Sequence, residues 1–209
     1  MYNLSPFKQE EDRQLKSFIA QYPLATLVSI NPSGLEANHI PLYFVEDGNA
    51  KSLLRGHIAK ANPLWKEVAD KSQVLIIFQG PQSYISPNWY PSKKEHGKVV
   101  PTWNYAVVHL SGEISFISDN AWKLDMLNTL TNKSERHQTA PWKVADAPQG
   151  YIERQLSGIV GIEISLSSMQ GKWKMSQNKS ASDHQGVVDG LSNSDSPGAG
   201  ETAGLMKRK

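Results

Sequence analysis

Between residues 24 and 57 the chain carries three β-type runs joined by two tight turn signals, and this pattern restricts the fold more than any other. Leu24 to Ile30 is rich in aliphatic and β-branched residues. Asn31-Pro32-Ser33-Gly34 has turn chemistry, because proline presets φ and glycine accepts positive φ. Glu36 to Val45 forms the second run, Asp47-Gly48 is a hairpin signal, and Ser52 to His57 forms the third. Successive hairpins make an antiparallel meander, which favours a barrel or sandwich over a βαβ fold.

The rest of the chain fits around that meander. Ser5-Pro6 reads as an N-cap followed by proline at the first helical position. Leu15, Phe18, Ile19 and Tyr22 then share one face of a helix that Pro23 ends. Asn62-Pro63 opens a short helix carrying Leu64, Trp65 and Val68. Gln73 to Gln79 is predicted as a central strand, turned by Gly80-Pro81 and followed by a short strand over Ser83 to Ser86. Residues 87–102, with Pro87, Pro91, Gly97 and Pro101, read as a long loop, and a loop of that length is usually functional or mobile. Trp103 to Ile117 is a strand, and Ser118 or Asp119 caps a helix to about Asn132 with Trp122, Met126, Leu127 and Leu130 inward. Residues 133–148 are polar and irregular, Gly150 to Leu156 is a short helix, Ile159 to Leu166 is the last strand, and Ser182 to Leu191 is a helix. No boundary precedes residue 192, so one domain is expected over 1–191, with a tail over 192–209 whose Ser, Gly, Asp, Pro and Ala content predicts disorder. The expected class is mainly β with peripheral helices.

Composition excludes more than it assigns. The 209 residues include no cysteine, which removes disulfides, thiolate metal sites and thiol nucleophiles and fits a reducing cytosol. A net charge of +2 is too weak a field to argue for nucleic acid by itself. The N-terminus has no signal-peptide pattern, and Val74 to Phe78 falls far short of the ~20 apolar residues of a membrane helix. The six histidines show no ligand spacing, no acid/base pair stands out, and no Walker, Rossmann or nucleophile-elbow motif is present. No metal site and no catalytic residue is therefore assigned.

Four segments have the chemistry of a ligand site. In Arg55-Gly56-His57-Ile58-Ala59-Lys60-Ala61-Asn62-Pro63 a strand runs into a helix, where cations and helix-end amides suit a phosphate; surface cations on an ordinary turn give the same pattern. Phe78 to Tyr90 interleaves aromatics with amides and hydroxyls, which suits either a planar heterocycle or subunit packing. Val100-Pro101-Thr102-Trp103-Asn104-Tyr105 allows the same two readings. Gly171 to Lys179 is cationic and amide-rich, as in an anion clamp or a solvated loop.

Taken in order, RGHIAKANP (55–63), FQGPQSYISPNWY (78–90), VPTWNY (100–105) and GKWKMSQNKS (171–180) resemble the PaiB-type FMN-binding negative transcriptional regulators, with MYNLSPF and ANHIPLYF (37–44) also fitting. The resemblance covers about residues 1–191. It implies an antiparallel split β-barrel, a cytoplasmic homodimer and flavin mononucleotide (FMN) held near the dimer interface. It points to Arg55, Gly56, His57, Lys60 and Asn62 for the FMN phosphate. It brings Tyr84, Ser86, Trp89, Trp103 and Asn104 to the isoalloxazine ring or to closure of the pocket across the dimer, and Lys174, Gln177 and Asn178 to the ring's polar edge or an adjacent substrate space. The regulator role comes only from the family, as does a DNA or regulatory partner; the basic residues Lys93, Lys94, Lys98 and Lys207-Arg208-Lys209 form no recognition helix. The alternative is a flavin-dependent oxidoreductase with no direct role on DNA, since the flavin itself performs hydride and electron transfer. A third reading is a barrel that binds haem or another planar cofactor through His57 or His184.

Overall fold

A computed structural model describes residues 1–46 and 52–207. In chain order the elements are β1 (Lys8–Gln9), α1 (Asp12–Gln21), β2 (Leu24–Asn31), β3 (Gly34–Pro41), β4 (Tyr43–Glu46), β5 (Ser52–Ala59), α2 (Leu64–Glu67), β6 (Gln73–Ile85), α3 (Ser92–His96), β7 (Thr102–Ile117), α4 (Asn120–Glu135), α5 (Gln149–Ser157), β8 (Ile159–Lys174), α6 (Ala181–Ser192) and α7 (Ala199–Lys207). The strands join in the order β3-β2-β6-β7-β8-β5-β4, with β1 on β8. The β1–β8, β2–β3, β2–β6, β4–β5 and β5–β8 pairs are antiparallel. A mainly antiparallel sheet with peripheral helices is the class expected. The Asp47-Gly48 turn signal lies outside the described residues. Among the described residues no helix is long and apolar enough to cross a membrane.

The chain divides into two compact units. The first comprises Met1–Phe18, Gln79–Val108 and Gln170–Lys209. Its N-terminal arm pairs Lys8 with Lys172 and Gln9 with Gly171, and Asn3 Nδ2 donates to Gly171 O at 2.8 Å. Phe7, Leu15, Phe18, Ile85, Tyr90, Ala106, Val108, Met175, Val187 and Leu191 form its core. The second comprises Ile19–Phe78 and His109–Met169. It holds the β2–β3 hairpin, where Leu24 pairs with Pro41 and Asn31 with Gly34, as the turn chemistry predicts. Alternating inward residues Ala25, Leu27, Leu54, Ile58, Ile76, Phe78, Ile162 and Ile164 build its core.

Several elements differ from the sequence expectation, each for a physical reason. The first helix begins at Asp12, because Ser5-Pro6 forms a 3-10 turn and the chain then extends as β1 to pair with β8. Glu36 to Val45 is two strands separated at Leu42, whose backbone N–H donates to Pro23 O instead of a sheet partner. Gly80-Pro81 does not turn the chain, and β6 continues through it. Its pairing with β2 ends at Ile77, so the missing proline N–H breaks no β2 ladder bond. Across Gln79-Gly80 the inward face changes from Val74, Ile76 and Phe78 to Pro81, Ser83 and Ile85. The 87–102 loop contains a 3-10 turn over Pro87–Trp89 and the helix α3. β8 runs to Lys174, so Gly171 to Lys174 is strand and not loop. Residues 199–207, expected to be disordered, form α7 with Ala199, Thr202, Ala203 and Met206 buried at helical spacing.

Candidate functional site

The phosphate-type motif lies in the second unit, at the end of β5. Arg55 stands opposite Glu163 of β8 in register, and its Nε donates to Glu163 Oε2 at 2.8 Å while the guanidinium lies 5.4 Å from the Trp122 ring. One face of Arg55 is thus already matched, and its guanidinium is also a partner of the Tyr43 side chain, so only part of its donor fork remains for an anion. A β-carbon on Gly56 would fall 2.5 Å from Pro41 O, so this glycine lets β5 approach the chain at Pro41 rather than a ligand. His57 is half-buried, and its Nδ1 is buried with no hydrogen-bond partner among the described residues. Burial lowers the His57 pKa below its ordinary 6.5, so the imidazole is neutral.

Lys60 follows, exposed, its backbone N–H on Gly158 O at 2.8 Å. Its charge reaches Lys123 of α4: burial first, then Lys60, lowers the Lys123 pKa. Lys123 Nζ is buried against Leu156 O at 2.6 Å, where a cation suits the carbonyl end of α5. Asn62 is occupied. Its Nδ2 donates to Asn38 Oδ1 at 2.7 Å and its Oδ1 accepts from Leu64 N at 2.9 Å, so it caps α2 and takes the amide that the sequence offered to a phosphate.

The remaining candidates lie in the first unit. Tyr84 and Trp103 are 47% and 54% exposed and meet edge to face, centroids 6.2 Å apart, leaving ring faces open. Ser86 Oγ accepts from Asn88 N at 3.2 Å and caps the 3-10 turn. Trp89 packs on α6, where Gly186 and Gly190 leave room for its backbone and ring. Asn104 is fully buried; its amide donates to Ser176 Oγ at 3.0 Å and lies 3.5 Å from Met206 Sδ. Gln177 closes its own turn, accepting from Met175 N at 2.7 Å and donating to Trp173 O.

Lys174 and Asn178, with Thr102, Ser176 and Lys179, line a cleft of about 210 Å³ that also touches Phe7, Val100, Pro101 and Asn104. Lys174 Nζ donates to Thr102 Oγ1 at 2.6 Å and to Trp103 O. Burial, then the charges of Lys172 and Lys179, lowers the Lys174 pKa. Sequence reasoning missed Lys179 and Thr102, although both stand inside motifs it singled out; nothing in the sequence separates a cleft wall from its neighbours. It also missed Glu163, visible only once the β5–β8 register is known.

Residues 1–168 match the family described as "Putative FMN-binding domain". The chain belongs to this FMN-binding family. FMN, the cofactor implied by the sequence motifs, is the ligand for which the family is described. The chain is 32% identical over 209 residues to the Bacillus subtilis "Protease synthase and sporulation protein PAI 2", covering 100% of this chain and 98% of that one, which bears out the PaiB resemblance. Among solved structures, an FAD and heme binding protein from Mycobacterium smegmatis matches with a TM-score of 0.61 at 15% identity, over 85% of this chain and 78% of that one. The Azotobacter vinelandii flavocytochrome Anf3 matches with a TM-score of 0.58 at 14% identity, over 80% and 69%. At such identities the likeness is one of fold, and it is the split-barrel fold expected for the FMN-binding family.

Proposed function

We propose that the protein is a cytoplasmic, dimeric flavoprotein that seats the FMN phosphate at the end of β5 and acts as a negative regulator of transcription. The observation that carries the phosphate seat is an unpartnered, buried Nδ1 on the neutral His57, in the same strand-to-helix segment as the exposed Lys60 and within the stretch matched by the FMN-binding family. A neutral imidazole presents either an N–H donor or a lone pair, and Lys60 supplies a charge-assisted donor. Arg55 contributes its remaining donors while Glu163, Trp122 and Tyr43 hold its orientation. In the other unit, Tyr84 and Trp103 offer flat apolar faces suited to a planar ring. Bound FMN would supply hydride and electron transfer; the chain's own residues bind and orient it. The regulatory role is supported by the full-length similarity to the sporulation protein of Bacillus subtilis.

A second reading, a flavin-dependent oxidoreductase with no direct contact to DNA, is favoured by the helices. The lysine-bearing α3 has only five residues, and the α6–α7 pair carries Asp183, Asp189 and Glu201 against Lys207. Neither makes a basic recognition face.

An absorbance spectrum of freshly purified protein, with flavin bands near roughly 450 nm, and mass spectrometry of the released ligand test the cofactor. Lys60→Ala weakens FMN binding about tenfold, the equivalent of one charge-assisted hydrogen bond; an unchanged dissociation constant removes Lys60 from the site. A salt-sensitive mobility shift of promoter fragments supports the regulator, and bleaching of the flavin by a pyridine nucleotide supports the oxidoreductase.

A further inference from the structure

The cleft of the first unit is built from cations without a lining carboxylate. Lys174 and Lys179 line it together with the hydroxyls of Thr102 and Ser176 and the amide of Asn178. Lys174 Nζ uses two of its three donors on Thr102 Oγ1 and Trp103 O, leaving one. The Lys179 ammonium lies 4.9 Å from the Tyr90 ring centroid. The nearby acid, Asp183, does not line the cleft; its oxygens are on Ser92 N–H at 3.1 Å and Ser92 Oγ at 2.8 Å, and its charge offsets part of that of Lys179. A third cation, Lys172, is buried, held by Tyr2 O at 3.0 Å and by the rings of Tyr2 and Tyr105. Like charges held this close disfavour one another unless an anion joins them.

Size narrows the ligand. About 210 Å³ is below the roughly 300–1,000 Å³ of pockets that enclose a whole drug-sized molecule, so the cleft suits one charged group of a larger ligand. None of the phosphate-seat residues Arg55, His57 and Lys60 lines it; of its own lining, Lys174, Ser176, Asn178 and Lys179 follow residue 168, where the FMN-binding match ends, while Phe7, Val100, Pro101, Thr102 and Asn104 fall inside the match. Thr102 and Ser176 hydroxyls can donate to oxygen, and lysine ammoniums suit phosphate or carboxylate as point charges.

We infer that this cleft is an oxyanion-binding subsite for the phosphate or carboxylate group of a second small molecule, distinct from the flavin, with Lys179, Lys174 and Thr102 as its contacts. It does not depend on the flavin reading, because it is built from residues of one unit with their own charge imbalance.

Inorganic phosphate, titrated calorimetrically into the full chain with and without saturating FMN, is the probe. Binding is expected in both states. With FMN saturating, Lys179→Gln and Thr102→Val each weaken it at least tenfold. Thermal melting without phosphate shows whether each variant is folded, and only the phosphate-induced rise in melting temperature is lost. If FMN abolishes phosphate binding while riboflavin does not, the cleft holds the flavin's own phosphate and the inference is overturned. Absence of phosphate binding by the folded wild type, or equal binding by folded Lys179→Gln and Thr102→Val, overturns it as well. FMN affinity is read separately by flavin fluorescence, so loss of one reading leaves the other standing.

Discussion

At the scale of single residues, His57 and Gly190 carry the sharpest consequences. An unfolded chain protonates His57 near 6.5, and the folded chain only at lower pH because burial disfavours the imidazolium. Between those values the unfolded state binds more protons, so stability rises with pH through this window and is lost as pH falls below about 6.5. Chemical denaturation of wild type and His57→Gln from pH 8 to 5 is expected to show a shallower acid decline in the variant; superimposable declines refute a buried neutral ring. Gly190 faces the Trp89 ring so closely that a β-carbon would fall among Cγ, Cδ1 and Cδ2. In an open helix, glycine to alanine gains about 1 kcal/mol. Here overpacking against a ring fixed in the structure opposes it by about 1–3 kcal/mol. Gly190→Ala therefore lowers the denaturation midpoint, and the same change in a Trp89→Ala background raises it. Two of the residues that the motifs nominate for a ligand, Asn62 and Asn104, are instead satisfied by Asn38 and Leu64 and by Ser176. An amide in a motif does not reveal in sequence whether its partner is the chain or a ligand.

At the scale of elements, legibility followed local chemistry. The β2–β3 turn was readable because proline and glycine impose it in four residues. β8 was read short because its apolar alternation fades after Leu166, while its last residues are strand through pairing with β1, a partner over 160 positions away in sequence. α7 was missed for another reason. The Ser, Gly, Asp and Pro of 193–198 form only a connector, yet their composition masked the stripe of Ala199, Thr202, Ala203 and Met206 behind them. That stripe is buried, and Thr202 Oγ1 lies 3.1 Å from Ser83 Oγ. Met206 is 3% exposed and its sulfur meets the Asn104 amide. Met206→Ala is expected to destabilise the protein by about 2–5 kcal/mol, as for other buried methionines. Because Asn104 and Ser176 both line the cleft, the variant also weakens phosphate binding under conditions where it remains folded. A melting temperature within a degree of wild type would show α7 to be peripheral.

At the scale of the whole molecule, the open aromatic face links ligand binding to association. Tyr84, Val100 and Trp103 are 47%, 69% and 54% exposed, all in the first unit. Three large apolar side chains left open within two motifs mark a surface that a ligand or partner is expected to cover. The 210 Å³ cleft of that unit is too small to enclose a three-ring flavin, so a flavin lying on the Tyr84–Trp103 pair needs a second wall. In the dimer proposed above, another copy of the chain supplies one. If the second wall is a partner subunit, flavin binding and association are linked, since a ligand bound only by the dimer stabilises the dimer by mass action. Sedimentation at micromolar concentration is then expected at twice the 23.2 kDa chain mass. FMN should shift the monomer–dimer balance further toward dimer, and Trp103→Ala should weaken both FMN binding and association. FMN that binds equally to a dilute monomer would separate the two processes and remove the partner from the flavin site, leaving the ring to be held by the side chains of a single copy.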